Sequence, residues 1–190
     1  MSTIINGTSS AITFPDATVQ NTAGLTSSST LNASNVTTGT LPAARLPAGS
    51  VLQVITATFN NYASTSSTAF VTTGFSASIT PSSATNKILV LMSANGSVSA
   101  SNVQMTATIY RGGTDIITGG NGQGLVYSSA GASLTNPYSL QWLDSPATTS
   151  STTYTIYFRN ALNAAGAVNF NVPASSGQGT ASIILMEITA

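Results

Sequence analysis

Four carboxylates, Asp16, Asp115, Asp144 and Glu187, and four cations, Arg45, Lys87, Arg111 and Arg159, are the whole ionic equipment of this 190-residue chain, which contains no His and no Cys. Glycoside hydrolysis would need two of those carboxylates facing one cleft, one of them holding its proton near neutral pH. The acids are widely scattered, and no spacing brings any two together. The residue types suit other work: Asp16, Asp115 and Asp144 lie in turn-like surroundings where a short carboxylate caps backbone N–H groups. Glu187 interrupts an apolar C-terminal run, where burial without a partner would be costly. It is expected to face outward, the sharper alternative being a pair with Arg or Lys across a subunit boundary. Without His there is no imidazole acid or base, and without Cys there is no thiol nucleophile, disulfide or thiolate zinc site. The reading is therefore not an enzyme, with no catalytic residues, no metal site and no cofactor.

Two further groups of residues could take part in binding. Gly119-Gly120-Asn121-Gly122-Gln123-Gly124 has the glycine content of a phosphate loop, but such a loop needs a following helix and usually a Lys. Here Leu125-Val126-Tyr127 follows, with the character of a strand. Gly120, Asn121 and Gly122 are expected instead at an exposed loop tip of the kind through which a binding module touches its target. The aromatics Tyr127, Tyr138, Trp142, Tyr154, Tyr157 and Phe158 could stack on sugar rings, although such residues are more often core or interface anchors. Tyr127, Tyr138 and Trp142 join the loop as binding candidates, with Trp142 expected in the core. Four dispersed cations cannot release many counterions from a polyanion, so no nucleic-acid partner is expected.

Charged residues make up 4% of the chain, against about 25% in an ordinary soluble domain. Ser and Thr, 29 and 30 in number, supply a neutral, hydroxylated and β-prone surface instead. The longest unbroken apolar run, Ile88 to Met92, is far shorter than the ~20 residues of a membrane helix. The N-terminus has neither the basic flank nor the apolar core of a secretory signal. The expectation is a protein made in a cytoplasm and not inserted in a membrane.

These residues must be positioned by strands. After Gly49 the chain reads as strand-length runs between Gly, Pro, Asn and Ser turns, the pattern of an all-β sandwich or barrel with eight or nine strands. They are Val51 to Phe59, Ala69 to Ile79, Lys87 to Ala94, Val103 to Tyr110, Gly124 to Ser128, Tyr138 to Leu143, Thr152 to Arg159, Ala167 to Val172 and Ala181 to Thr189. Alternation sets Val103, Met105, Ala107 and Ile109 on one face against Gln104, Thr106, Thr108 and Tyr110. Tyr154, Ile156 and Phe158 oppose Thr153, Thr155 and Tyr157 in the same way. Ile88 to Met92 and Ile183 to Met186 are apolar on both faces, so loops or neighbouring subunits must cover the second one. No convincing helix is present.

The first 48 residues differ in texture. Around Ile12 to Gln20 apolar and polar residues alternate on either side of a Pro-Asp turn signal, which predicts strand, turn and strand. From Leu25 to Gly49 the chain is Ser, Thr, Asn and Ala with a Leu or Val every five or six positions. Too poor in bulk to offset its own ordering entropy, this stretch is a linker or borrows its core from other chains, and the regular spacing favours an oligomeric stalk or collar. Three parts result: 1–24, 25–48 as stalk, and 49–190 as the β-sandwich.

Several phrases resemble those of one group of proteins. Ile12-Thr13-Phe14-Pro15-Asp16-Ala17-Thr18-Val19-Gln20-Asn21-Thr22-Ala23 resembles the opening of many tailed-bacteriophage fibre and virion structural proteins. Asn35-Val36-Thr37-Thr38-Gly39-Thr40-Leu41-Pro42-Ala43-Ala44-Arg45-Leu46-Pro47 is similar to their stalk phrase. Further matching phrases are Gly49 to Val54, Ile79 to Val90, Leu143 to Pro146 and Ile184 to Ile188, in family order across most of the chain. One departure is Ala17, where the family usually has Gly, so the turn after Asp16 differs in type.

The resemblance implies a homotrimeric, β-rich virion appendage. Its N-terminal segment, with Phe14, Pro15, Asp16 and Val19, would attach to other virion proteins. Its C-terminal jelly roll, similar to tumour-necrosis-factor-like modules, would face outward. It carries over no catalytic residue. The expected function is a tail fibre or fibre-tip adhesin contacting a host surface glycan or outer-membrane component without catalysis. The alternative is a capsid decoration or baseplate structural protein. A polysaccharide depolymerase comes third, since it would need the absent carboxylate pair.

Overall fold

Short apolar-polar alternations leave most strands with one face to bury, and two sheets laid face to face satisfy that need. A computed structural model of the chain describes residues 12–13, 19–20, 45–117, 119–129, 133–162, 165–172 and 179–190. The chain divides into two units, Met1–Leu41 and Pro42–Ala190. In the first, β1 (Ile12–Thr13) pairs antiparallel with β2 (Val19–Gln20), Ile12 opposite Gln20 and Thr13 opposite Val19, as the alternation predicts. Phe14, Pro15, Asp16 and residues 21–44 of the expected attachment segment and stalk lie outside the described residues.

The second unit holds β3 (Val51–Phe59), β4 (Ala63–Thr65), β5 (Val71–Ile79), β6 (Lys87–Val98), β7 (Val103–Arg111), β8 (Thr114–Asp115), β9 (Gln123–Ser128), β10 (Leu134–Asp144), β11 (Thr152–Asn160), β12 (Val168–Phe170) and β13 (Ala181–Ile188). One sheet runs β3-β13-β6-β10, with β12 continuing along the β13 side of β6 and β4 outside it. The other runs β5-β11-β7, and β8 and β9 share the far edge of β7. All pairings are antiparallel, and successive long strands mostly change sheet, so the unit is a jelly-roll-like β-sandwich.

All nine expected strands are present, with corrected ends. β6 runs on to Val98 and β10 begins at Leu134, because the two pair without interruption from Leu134 opposite Val98 to Asp144 opposite Ile88. That ladder holds Asn95 and Gly96 extended, although neither residue favours a strand. Two short strands, β4 and β8, of three and two residues, exist only through their partners β12 and β7. The ladder between β5 and β11 shifts register between Thr155 and Tyr157, which leaves Thr73, Gly74 and Phe75 opposite Ile156. Gly74 takes φ +78° there, and the Thr73 hydroxyl donates to the Ile156 carbonyl at 2.8 Å, filling the gap in the ladder.

The core lies between the sheets. Val103, Met105, Ala107 and Ile109 of β7 and Tyr154, Ile156 and Phe158 of β11 are buried, as alternation required. Phe59 of β3 stacks on Phe75 of β5 with centroids 5.1 Å apart, and Phe170 of β12 tilts against both and against Phe158. These four rings join both sheets at one end of the sandwich.

The outer face of the first sheet carries its own pattern. Across β3, β13, β6 and β10 the register aligns Val54, Met186, Leu89 and Leu143 in one row. The next row is Thr56, Ile184, Leu91 and Gln141, and the third is Thr58, Ser182, Ser93 and Ser139. Val54 and Leu143 are 50% and 49% exposed, and Val51 nearby is 51% exposed. The strands that are apolar on both faces thus leave an uncovered apolar band that grades into hydroxyls along the strand direction.

Candidate functional site

The described acids are held apart and each is used locally. Asp115 Oδ1 accepts from the Thr108 hydroxyl at 2.5 Å and the Ile117 N–H at 3.0 Å, the turn capping its surroundings predicted. Asp144 is no surface cap. It is buried at the end of β10, where Arg111 Nη1 approaches its two oxygens at 2.8 and 2.7 Å and the Tyr154 hydroxyl donates to Oδ2 at 2.7 Å. Burial first, then the hydrogen bond to Asp144 and its charge, pushes the Tyr154 phenol far above its ordinary range.

Glu187 points inward and is 1% exposed, against the expected outward position, and its partners are neutral rather than cationic. Oε1 accepts from the Ser82 N–H (2.6 Å), the Ser82 hydroxyl (2.7 Å) and Asn86 Nδ2 (2.7 Å), and Oε2 accepts from Gln53 Nε2 (2.6 Å). Desolvation pushes this carboxyl up, but the bonds from Asn86, Gln53 and Ser82 outweigh it and hold the pKa below the usual value. Among the described residues no group of three acids, His or Cys gathers to hold a metal ion, and no helix is long and apolar enough to cross a membrane.

Concavity lies where the sheet edges meet. β9 and β10 are the facing edge strands, and between them runs a shallow groove of about 670 Å³ lined by Leu89, Gln123, Gly124, Ser139, Gln141, Trp142 and Leu143. The backbone N–H of Gln141, on the free edge of β10, donates to Gln123 Oε1 at 3.4 Å. A half-buried Trp flanked by amides and a hydroxyl offers one flat apolar surface and several neutral hydrogen-bonding groups. The residues that line it include no titratable side chain among those described.

The binding candidates from the sequence separate into three places. Trp142 packs against the core and also lines the groove. Tyr138 is 4% exposed and lies beneath the groove, its hydroxyl donating to the Gln123 carbonyl and accepting from the Ala107 N–H at 2.8 Å. That phenol, raised by burial, supports the groove from inside rather than meeting a ligand. Tyr127 is 41% exposed, with its hydroxyl donating to Asn102 Oδ1 at 3.2 Å, and does not line the groove.

Gly120 and Asn121 are exposed, as a loop tip requires. Gly122 is closer in: a Cβ there would lie 2.5 Å from the Ala107 carbonyl oxygen, and its φ is +75°. This turn brings Asn121 Oδ1 to 3.5 Å from Arg159 Nη2. Arg159 in turn lies over the Phe70 ring, 4.5 Å from its centroid. The loop therefore belongs to the outer face of the second sheet, beside the stacked rings of Tyr110 and Tyr157, whose centroids are 3.9 Å apart.

Sequence reading did not find this cluster. Its signal was two tyrosines among threonines on the polar faces of β7 and β11, but that the two strands are neighbours is known only from the ladder. Of the attachment residues, Val19 is in β2, and Phe14, Pro15 and Asp16 lie outside the described residues. No protein-family model matches the chain, and no curated protein matches it in sequence.

Proposed function

We propose that this chain is a bacteriophage virion structural protein, a tail-fibre or fibre-tip adhesin that contacts the host cell surface without catalysis. It assembles as a homotrimer through the outer face of the β3-β13-β6-β10 sheet. The observation that carries the reading is the apolar row Val54, Met186, Leu89 and Leu143 on a face that the described residues leave uncovered. A band of that kind is stable in water when other copies cover it, and closed cyclic assembly buries it without leaving a free end. The phrases from Ile12 to Ala23 and Asn35 to Pro47 supply the virion context, and the N-terminal segment would join other virion proteins.

An adhesin of this chemistry works by shallow contacts multiplied by symmetry. Each sandwich presents hydroxyls, amides and aromatic rings, and three linked copies raise the effective concentration of the second and third contacts. The test is gold labelling of intact virions with an antibody against residues 49–190, viewed by electron microscopy. Label at tail or baseplate tips is the expected result. Label over the capsid would overturn the adhesin reading in favour of a head decoration, and absence from virions would overturn both.

A further inference from the structure

The outer face of the β5-β11-β7 sheet carries a combination of groups that neither the core nor the apolar face of the other sheet needs. Tyr157 of β11 and Tyr110 of β7 are half-buried and stack at 3.9 Å with 21° between their planes. Both project from the face where the remaining side chains are mainly Thr and Ser. Next along the same face of β11, Arg159 lies opposite Thr106. Every partner of its guanidinium among the described residues is neutral: Thr106 Oγ1 at 3.4 Å, Asn121 Oδ1 at 3.5 Å and the face of Phe70 at 4.5 Å. Stacking on Phe70 fixes the orientation of the cation without neutralising it.

Asp115 stands at the other side of the tyrosine pair, and its charge is one of the causes that raise the Tyr110 phenol, after burial. Its Oδ1 is committed to Thr108 and Ile117, while Oδ2 has no hydrogen bond among the described residues. The face thus presents two aromatic rings, one acceptor oxygen and one cation lacking a carboxylate partner, all held by strands rather than by a loop alone.

We propose that this face is the glycan-contact site of the sandwich and that it takes an acidic sugar. The apolar face of one ring would pack on Tyr157 and Tyr110. A ring hydroxyl would donate to Asp115 Oδ2. A carboxylate, phosphate or pyruvate substituent would pair with Arg159, which presents the planar fork such groups accept. The acid preference follows from the charges: the one described salt bridge, Arg111 to Asp144, lies elsewhere, so a ligand anion supplies what the described residues do not. The proposal deepens the adhesin reading and rests on it for the biological setting.

The test applies the full-length protein to a panel of purified bacterial capsular polysaccharides and lipopolysaccharide fragments, both acidic and neutral, at low and high salt. Expected are complexes with acidic members that weaken as salt rises. Affinity should fall about tenfold in Arg159→Gln, an amount typical of one lost charge-assisted bond. Arg159→Lys should recover part of it, and the exposed-site control Leu162→Ala should leave it unchanged. Thermal melting shows that each variant is folded, and Tyr157→Ala serves as the second variant, with a similar loss. Binding confined to neutral glycans, binding indifferent to both Arg159→Gln and Tyr157→Ala, or no binding across the panel would overturn the proposal. Such failure with gold label at tail tips leaves the adhesin reading standing; glycan binding by a protein located on the capsid removes that reading and keeps the site.

Discussion

Tyr154 of β11 donates its hydroxyl to Asp144 of β10 at 2.7 Å, and so ties the end of one sheet to the middle strand of the other. Arg111 of β7 closes the same carboxylate from the solvent side at 2.7 and 2.8 Å. Three strands meet in one buried polar knot. Asp144→Ala would leave a buried phenol without its acceptor and a cation without its partner. Breaking a fully buried pair costs about 3–5 kcal/mol. Because the Arg111 side chain keeps 31% of its surface in water, the expected loss is smaller, about 2–3 kcal/mol. Urea denaturation of the variant checks it, and Tyr154→Phe should cost about 1–1.5 kcal/mol in the same assay.

Glu187 gives the sandwich an acid-sensitive point. Its pKa is lowered in the folded state, so its contribution to stability is complete above the ordinary value of 4.5 and is lost as pH falls through the folded value. A neutral Gln would turn one of its two polar atoms into a donor facing the Asn86, Ser82 or Gln53 donors. Glu187→Gln should therefore melt below the wild type at neutral pH, and the gap should narrow as pH drops below 4.5. Melting temperatures of both proteins across that range check the sign; a gap constant with pH would assign the loss to packing alone.

Assembly makes a separable prediction. Leu89 is central in the apolar outer row and its side chain is not part of the core. Purified protein should scatter light as a particle of about three times 19.1 kDa. Leu89→Asp would place a charge in each buried copy of that row, and should yield a folded 19.1 kDa monomer. A wild-type monomer at micromolar concentration would refute the trimer.

The ring cluster at one end of the sandwich should dominate stability. Phe170 is fully buried and meets Phe59, Phe75 and Phe158. Phe170→Ala should cost about 3–5 kcal/mol, a large part of the stability of a domain this size. Chemical denaturation reads the value, and a loss below about 1 kcal/mol would mean that the neighbouring rings collapse into the space.

A final prediction concerns the parts of the chain. Every core residue among the described residues falls between Ile55 and Leu185, so residues 49–190 expressed alone should fold with the melting behaviour of the full chain. A truncated chain ending before Ala181 should not fold, because β13 lies between β3 and β6 and supplies Ile183 and Leu185 to the core. Circular dichroism of the two truncations distinguishes them.

Alternation with period two and the punctuation of Gly, Pro, Asn and Ser determined on their own that the chain is all-β, where nine of its strands lie and which face of β7 and β11 is buried. These are local properties, fixed by whether each side chain prefers water. The double-faced apolar runs in β6 and β13 also announced an outer face needing cover. Long-range pairing decided the rest. Which strands adjoin, that β10 carries β6 through Asn95 and Gly96, and that Tyr110 meets Tyr157 follow from ladders between distant segments that no local pattern encodes. Glu187 shows the limit most plainly: the sequence exposed the cost of burying it, but its neutral partners Gln53, Ser82 and Asn86 lie more than a hundred positions away. Only the closed sandwich brings those donors around the carboxylate, and the hydrogen bonds they make replace the water it lost.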